Sequence, residues 1–347
     1  MDPLRQGPDL EEPLWRMVQQ VPAGRVTTYG RLAEALGDAV AARWVGHVLL
    51  HHDHHPACPC HRVVRAGGEV GGYVTGDPRA KRAALRREGI AVVRGRVAVG
   101  EHLAEVACEA PPLTALRQLQ DGLAARCCLE PPAGPLETVG AVDVSYASPS
   151  LAVAAYALFS LNRSTDLSSL AVDQPVWSMT LQRPVRFPYI SSYLGFRELP
   201  VLFELIQQVR RRGRLADIVL VDGSGILHPR RAGVATMLGV AADLPTIGVT
   251  KKRLTGRVDL AGCGPGQFRP VVVAGRPAGW AVRPGSGSRK PWFISPGHRA
   301  DLALCHDLIG GLLCSSPARR LPGPLYVVDR LSRRVARGLG GQAVAAD

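Results

Sequence analysis

Between residues 26 and 51 the apolar positions follow a helical period. Leu32, Ala33 and Leu36 recur at spacings of three and four, and Gly37 stands where a helix would stop. Asp38 can cap a second helix running from Ala39 to about His51. Two short helices across a tight glycine turn read as a helix-turn-helix. The pattern breaks at Ala110-Pro111-Pro112 and again at Pro131-Pro132-Ala133-Gly134-Pro135. Between the breaks, Leu113, Leu116, Leu119 and Leu123 line one face of an amphipathic helix.

Beyond the second break the period shortens. Val139 to Ala147 and Leu151 to Leu161 predict apolar strands joined by a Ser148-Pro149-Ser150 turn, and Val176 to Pro184 predicts a third. Apolar residues at 196, 199, 202, 203, 206 and 209 predict a helix ending at Gly213. The run Asp217-Ile218-Val219-Leu220-Val221-Asp222 is nearly all apolar, as expected of a strand buried on both faces. A further helix and the strand Thr246 to Thr250 follow. Three strands, then helix, strand, helix, strand is the order of the ribonuclease H-like fold. The expected class is therefore α/β, with a small helix-turn-helix domain at 1–107, a ribonuclease H-like mixed-sheet domain at 108–337 and a disordered tail at 338–347.

Composition agrees with two cores, since 46% of the 347 residues are hydrophobic. The polar start lacks a signal-peptide core, and the longest apolar run, Leu151 to Leu161, is too short to span a bilayer. The expected location is the cytoplasm, with no membrane partner. Eight cysteines without framework spacing fit a reducing compartment. The net charge of +13 is uneven: residues 1–107 hold 14 basic against 12 acidic side chains, and the remainder 28 against 17. The second part is the stronger candidate for binding a polyanion. Its densest basic run, Arg210 to Arg214, reads as a solvated helix end rather than a specific contact.

The candidate chemistry begins at Pro59-Cys60-His61-Arg62-Val63-Val64. A cationic neighbourhood favours thiolate, and thiolate is the nucleophile. Most cysteines are merely small buried hydrophobes, but here a helix-turn-helix immediately precedes the thiol. From about Glu12 to Val97 the chain resembles the O6-alkylguanine-DNA alkyltransferases. The resemblance implies Cys60 as alkyl acceptor, His61 as the histidine that deprotonates it through water, and Glu88 as the carboxylate that orients His61. It implies that Tyr29 helps swing the damaged nucleotide out, that Arg43 fills the vacated stack, and that Tyr73 lines the guanine pocket; no cofactor is implied. The family usually has asparagine where His52 stands.

The cluster His51-His52-Asp53-His54-His55, followed by Cys58 and Cys60, has residue types that bind zinc. Adjacent ligands point different ways and no paired C-x2-C spacing occurs, so the expected reading is an exposed polar loop.

In the second part three carboxylates stand at telling places: Asp143 interrupts the first strand, Asp222 ends the buried strand, and Glu198 opens the helix between them. Buried carboxylates that converge call for a cation, and as a set these fit Mg2+, with Mn2+ as an alternative. Each alone could be a cap or a surface ion-pair member. From about Cys108 to Arg337 the chain is similar to endonuclease V, with Val142-Asp143-Val144-Ser145-Tyr146, Phe196-Arg197-Glu198, Val221-Asp222-Gly223-Ser224-Gly225-Ile226-Leu227-His228-Pro229-Arg230-Arg231, Thr246 to Lys251 and Ser295-Pro296-Gly297-His298 matching its blocks in order.

That similarity implies Asp143, Glu198 and Asp222 as metal ligands, Lys251 and His298 serving the cleaved phosphate and its water, and His228 among the residues that bind substrate. Tyr189, in Pro188-Tyr189-Ile190-Ser191, falls on the family's strand-separating wedge, where Ser191 replaces a usual proline. Gly223 and Gly225 suit close backbone approach to a flipped base, although a plain turn would use glycine too. The expected protein transfers an alkyl group from O6-alkylguanine to its own cysteine and nicks DNA near deaminated bases such as deoxyinosine. It is expected to act as a monomer on damaged double-stranded DNA, with single-stranded nucleic acid as a second partner class. The alternative is a non-catalytic alkyl-lesion sensor fused to a structure-specific nuclease.

Overall fold

A computed structural model describes residues 7–55, 57–161, 174–285, 290–315 and 321–343. The chain divides into two compact units: Pro8–Gln118 with Phe187–Ser191, and Leu119–Arg186 with Ser192–Asp347 and Met1–Gly7.

The N-terminal unit opens with α1 (Glu11–Gln20), which buries Leu14, Met17 and Val18 at helical spacing. A two-residue strand β1 (Thr27–Thr28) leads into α2 (Tyr29–Ala35), capped by Thr28 Oγ1, which accepts from Arg31 N–H at 3.1 Å. Gly37, at φ 111°, makes the turn, because a Cβ there would collide with the backbone of Thr114. Asp38 then caps a single 3-10 turn, Ala39–Ala41, that runs into α3 (Ala42–His51). The expected second helix thus begins as a 3-10 turn. Another 3-10 turn, Pro59–Arg62, carries Cys60, and β2 (Val63–Val64) pairs in parallel with β1. α4 (Pro78–Arg87) and the short α5 (Val99–His102) follow. Val26, Val64, Val70, Leu85, Ile90, Val92 and Val97 form the core of this half. The unit extends past residue 107 because α6 (Pro112–Ala125) starts on it: Leu113 N–H donates to Leu36 O at 2.9 Å.

The second unit is an eight-stranded sheet. Its strands are β3 (Thr138–Ser148), β4 (Leu151–Ser160), β5 (Trp177–Pro184), β6 (Ile218–Asp222), β7 (Thr246–Thr250), β8 (Phe268–Val273), β9 (Arg276–Val282) and β10 (Trp292–His298). They lie in the order β5-β4-β3-β6-β7-β10-β9-β8, with β3, β6 and β7 parallel and every other neighbour antiparallel. Its helices are α7 (Leu194–Arg211), α8 (Val234–Ala242), α9 (Leu302–Ser315) and α10 (Gly323–Ala343). Alternation along the strands decides what each face meets. Val139, Ala141, Ile218, Leu220, Ile247 and Val249 pack with Leu308, Ile309 and Leu312 of α9 and with Leu325 and Val328 of α10.

The ribonuclease H-like, mixed-sheet α/β class therefore holds. The C-terminus differs from expectation. α10 continues through Ala343 because its inward line of Leu325, Val328, Ser332 and Ala336 is buried as far as residue 336, with Leu339 half-buried beyond it. The remaining positions 344–347 of the expected tail lie outside the described residues. Among the described residues no helix is long and apolar enough to cross a membrane.

Candidate active sites

In the N-terminal unit Cys60 is 3% exposed, on the turn before β2. His61 Nε2 and Glu88 Oε1 are 2.8 Å apart, and Arg62 donates to both Glu88 oxygens at 3.0–3.1 Å from Nε and to Oε1 at 2.7 Å from Nη2. Gly24 N–H adds a contact to Oε2 at 3.3 Å. Burial raises the Glu88 carboxyl, but the hydrogen bonds from Arg62 and His61 outweigh it and hold it below its ordinary value. A charged Glu88 fixes the imidazole orientation, and the structure brings His61 and Glu88 together.

Lys81, absent from the candidates named above, is 1% exposed. Its Nζ donates to Val63 O at 2.7 Å, to Gly72 O at 3.2 Å and to the Tyr29 hydroxyl at 3.4 Å. Burial lowers its pKa to about 8, against a raising contribution from Cys60 and a lowering one from Arg65. The signal available was its place among the apolar positions of α4, with Ala84 and Leu85. Tyr29 is half-buried, Tyr73 is half-buried with its hydroxyl 3.3 Å from His54 Nε2, and Arg43 is exposed on α3.

The histidine segment is only partly the exposed loop expected. His51, Asp53, His54 and His55 are exposed, yet His52 and Cys58 are half-buried, and His52, His54, Cys58 and Cys60 bring one ligand atom each to within 4.8 Å of the others. Adjacent residues do point apart, but His52 has extended backbone (φ −85°, ψ 159°), and residues two apart in extended chain share a side. A hydrogen bond with Cys58, then burial, push the Cys60 thiol well above its ordinary range, while the hydrogen bond with Cys60 lowers Cys58.

In the second unit, Asp143 and Asp222 continue the alternation of the inward-facing residues on neighbouring parallel strands, one residue past the Val142–Val221 pair. α10 supplies a third carboxylate, Asp329, one residue past buried Val328. Oxygens of Asp143, Asp222 and Asp329 lie within 4.8 Å of one another. Ser332 Oγ donates to Asp143 Oδ2 at 2.7 Å, with Ser145 Oγ 2.8 Å behind it. Glu198, buried on α7, accepts from the Tyr146 hydroxyl at 3.4 Å. Burial and then the Asp222 charge push Asp143 up to about 7, and burial followed by Asp143 and Asp222 raises Glu198 well above its ordinary value. Burial also raises Asp222, against a lowering contribution from Lys251. A largely buried group of mutually repelling carboxylates with oxygen-only donors fits a hard divalent cation.

Asp329 was missed because, four residues before Arg333, it has the spacing of a surface ion pair. Lys251 is exposed at the end of β7 and acts electrostatically on Asp222, so it belongs to this end of the sheet. His298 does not. It pairs in register with Thr246, the first residue of β7, whereas Asp222 pairs with Val249 near the far end. Its Nδ1 accepts from Cys128 N–H at 3.1 Å and its Nε2 lies 3.7 Å from Asp243 Oδ1. The antiparallel direction of β10 carries the Ser295-Pro296-Gly297-His298 block away from the carboxylates.

His228 is buried, with Nε2 3.0 Å from Ser192 O and Nδ1 accepting from Arg230 N–H at 3.2 Å. Gly225 is glycine for packing: a Cβ would overlap the Pro296 carbonyl oxygen of β10. At Gly223 a Cβ would come within 3.0 Å of Val234 Cβ, which leaves that position tightly packed as well. The expectation that these glycines admit a base is replaced by strand and helix packing. Tyr189 is 60% exposed between buried Phe187 and Ile190, which hold its turn.

Residues 121–330 match the Endonuclease V family, and residues 9–90 match the family described as 6-O-methylguanine DNA methyltransferase, DNA binding domain. A bifunctional methyltransferase/endonuclease of Picrophilus torridus is 34% identical over 306 residues, covering 88% of this chain and 90% of its own. The crystal structure of the catalytic domain of human endonuclease V superposes with a TM-score of 0.58 at 30% identity, covering 66% of this chain and 97% of that one. An endonuclease V variant of Ciona intestinalis, crystallised with a 23mer DNA containing an inosine followed by a ribo-adenosine, shares the fold at TM-score 0.56 and 24% identity, over 65% of this chain and 98% of that one.

Proposed function

The chain belongs to the endonuclease V family, joined to a DNA-binding domain of the 6-O-methylguanine DNA methyltransferase type, and we propose that it nicks DNA beside deaminated bases and takes alkyl groups from O6-alkylguanine onto Cys60. The observation that carries the nuclease reading is the convergence of Asp143, Asp222 and Asp329, with Glu198 beside them. A Mg2+-type cation held through these oxygens supplies charge neutralisation and water activation when bound. Ser332 holds the Asp143 carboxylate in place, and the Lys251 ammonium, exposed at this end of the sheet, offers a cationic contact to a phosphate. The inosine-containing DNA bound to the Ciona relative supports deoxyinosine as the substrate.

For the transferase, His61 held by Glu88 takes the Cys60 proton through water, and the sulfur attacks the alkyl carbon as the carbon–oxygen bond to guanine breaks. Guanine O6 leaves with the bonding pair and regains neutrality by protonation, and the thioether ends the reaction after one turnover. The buried Lys81 ammonium contributes a positive field at the thiol. A lesion sensor is the second reading, favoured by the 3% exposure of Cys60 and by the hydrogen bond with Cys58 that resists its ionisation. One assay tests both: a panel of lesion duplexes with and without Mg2+, scored for strand nicking and for protein mass. Mg2+-dependent nicking at deoxyinosine and one added methyl, absent in Cys60→Ala, are expected. Nicking that persists in EDTA, or an unmodified wild-type protein, overturns the corresponding half.

A further inference from the structure

The histidine and cysteine cluster around Cys60 contains more than alkyl transfer requires. His52 Nε2 lies 3.5 Å from Cys58 Sγ, and His54 Nδ1 lies 3.7 Å from Cys60 Sγ. Either contact alone is an ordinary weak hydrogen bond. Four ligand atoms mutually within 4.8 Å, however, enclose a point that all four can reach. Metal–sulfur bonds of ~2.3 Å and metal–nitrogen bonds of ~2.0–2.1 Å in a tetrahedron place nitrogen and sulfur roughly 3.6 Å apart, which both observed separations match. The outer partner of one imidazole fits as well, whereas His52 Nδ1 is buried without a hydrogen-bond partner. The far nitrogen of His54, Nε2, meets the Tyr73 hydroxyl at 3.3 Å, the second hydrogen bond that orients a ligating imidazole. The His52 ring packs against Trp15, with ring centroids 4.7 Å apart.

We propose that His52, His54, Cys58 and Cys60 form a tetrahedral site for a borderline-soft divalent cation of the Zn2+ class, and that occupancy takes Cys60 out of reaction. Two sulfur donors exclude Mg2+ and Ca2+, and an S2N2 tetrahedron selects zinc among the common cations. On binding, both thiols release their protons to solvent while the imidazoles stay neutral, so two thiolates balance the cation's charge. Four protein ligands leave no position for substrate. The Cys60 lone pair that would attack an electrophile is then committed to the metal, in a site where the sulfur is already buried. If Cys60 is the alkyl acceptor, a consequence that rests on the function proposed above, the cation acts as a reversible cap on it.

The test uses the metal-free full-length protein, with Mg2+ saturating the carboxylate site, titrated with Co2+ as a spectroscopic substitute. One equivalent showing thiolate-to-cobalt charge transfer and strong tetrahedral ligand-field bands is expected, lost in Cys58→Ser and in His54→Asn. His54 is exposed, so its replacement leaves the fold intact and keeps the test decisive even if Cys58→Ser does not fold. Zn2+ should also slow iodoacetamide labelling of Cys60 at least tenfold, with the rate restored by chelator. Cobalt bound without thiolate bands, bands unchanged in His54→Asn, or equal labelling with and without Zn2+ overturns the proposal. Because iodoacetamide replaces alkylated DNA as the probe, a protein inert toward O6-methylguanine would refute the acceptor reading and leave this site standing.

Discussion

Ser332 Oγ on α10 donates a 2.7 Å hydrogen bond to Asp143 Oδ2 on β3, residues 189 positions apart. A hydroxyl so placed fixes which carboxylate oxygen faces the neighbouring acids. Ser332→Ala should raise the Mg2+ concentration needed for half-maximal nicking about tenfold, the lower end of what loss of an outer hydrogen bond costs a metal site. A Mg2+ titration on inosine duplex decides it: an unchanged midpoint would make Ser332 only a packing residue.

Asp329 is predicted to matter as much as the carboxylates recognised from sequence. Asp329→Asn, which keeps shape and removes charge, should reduce nicking to the background seen for Asp143→Asn. Full activity in Asp329→Asn, with its helix intact by circular dichroism, would return Asp329 to the role of an ion-pair partner of Arg333.

His228 predicts an acid-sensitive fold. Burial, then the Arg230 charge, lower its pKa from 6.5 to about 4, against the hydrogen bond with Ser192. A depressed folded-state pKa contributes stability that is complete above the unfolded value and is lost as pH falls through the folded one. Stability should therefore decline between about pH 6.5 and pH 4, by roughly 3 kcal/mol from this residue alone. Urea denaturation across that range should show a shallower decline in His228→Gln.

Lys81 satisfies two backbone carbonyls inside the N-terminal unit. Lys81→Met keeps most of the volume but strands both acceptors, so a loss of about 1–3 kcal/mol is expected, measurable by thermal denaturation. A stability within error of wild type would show that water replaces the ammonium.

Exposed Tyr189, on a turn pinned by buried Phe187 and Ile190, should act on the duplex rather than on the fold. Tyr189→Ala is expected to impair nicking of inosine in paired duplex more than in single strands, where the unstacking cost of a few kcal/mol is largely absent. Equal impairment on both substrates argues for a general binding contact.

What could be read in advance follows from where each signal resides. Strands such as Leu151–Ser160 and Ile218–Asp222 announced themselves because burial on both faces leaves continuous apolar runs; Asp143 stood out as an interruption of the neighbouring run Thr138–Ser148, and Asp222 as the end of its own. Asp329 was hidden by its surroundings: on a helix rich in charge, a carboxylate one turn from Arg333 looks like a surface pair until the sheet beneath it is known. His298 misled because a motif gives composition, whereas the direction of β10 decides which end of the sheet it reaches. Gly225 misled in a similar way, since only the path of β10 shows what fills the missing side chain. His52 and Cys58 were discounted on sequence spacing, and the extended backbone at His52 brings alternate residues to one side.

The Val142–Val221 pairing also restricts how this protein can evolve. Inserting or deleting one residue within β3 or β6 before the carboxylate would turn Asp143 or Asp222 to the opposite face, and a change of two would displace it by roughly 6.6 Å along the strand. Length variation among descendants of this chain should therefore accumulate at the Ser148–Ser150 turn, beyond the reacting end of the strand, while the distance from Thr138 to Asp143 stays constant.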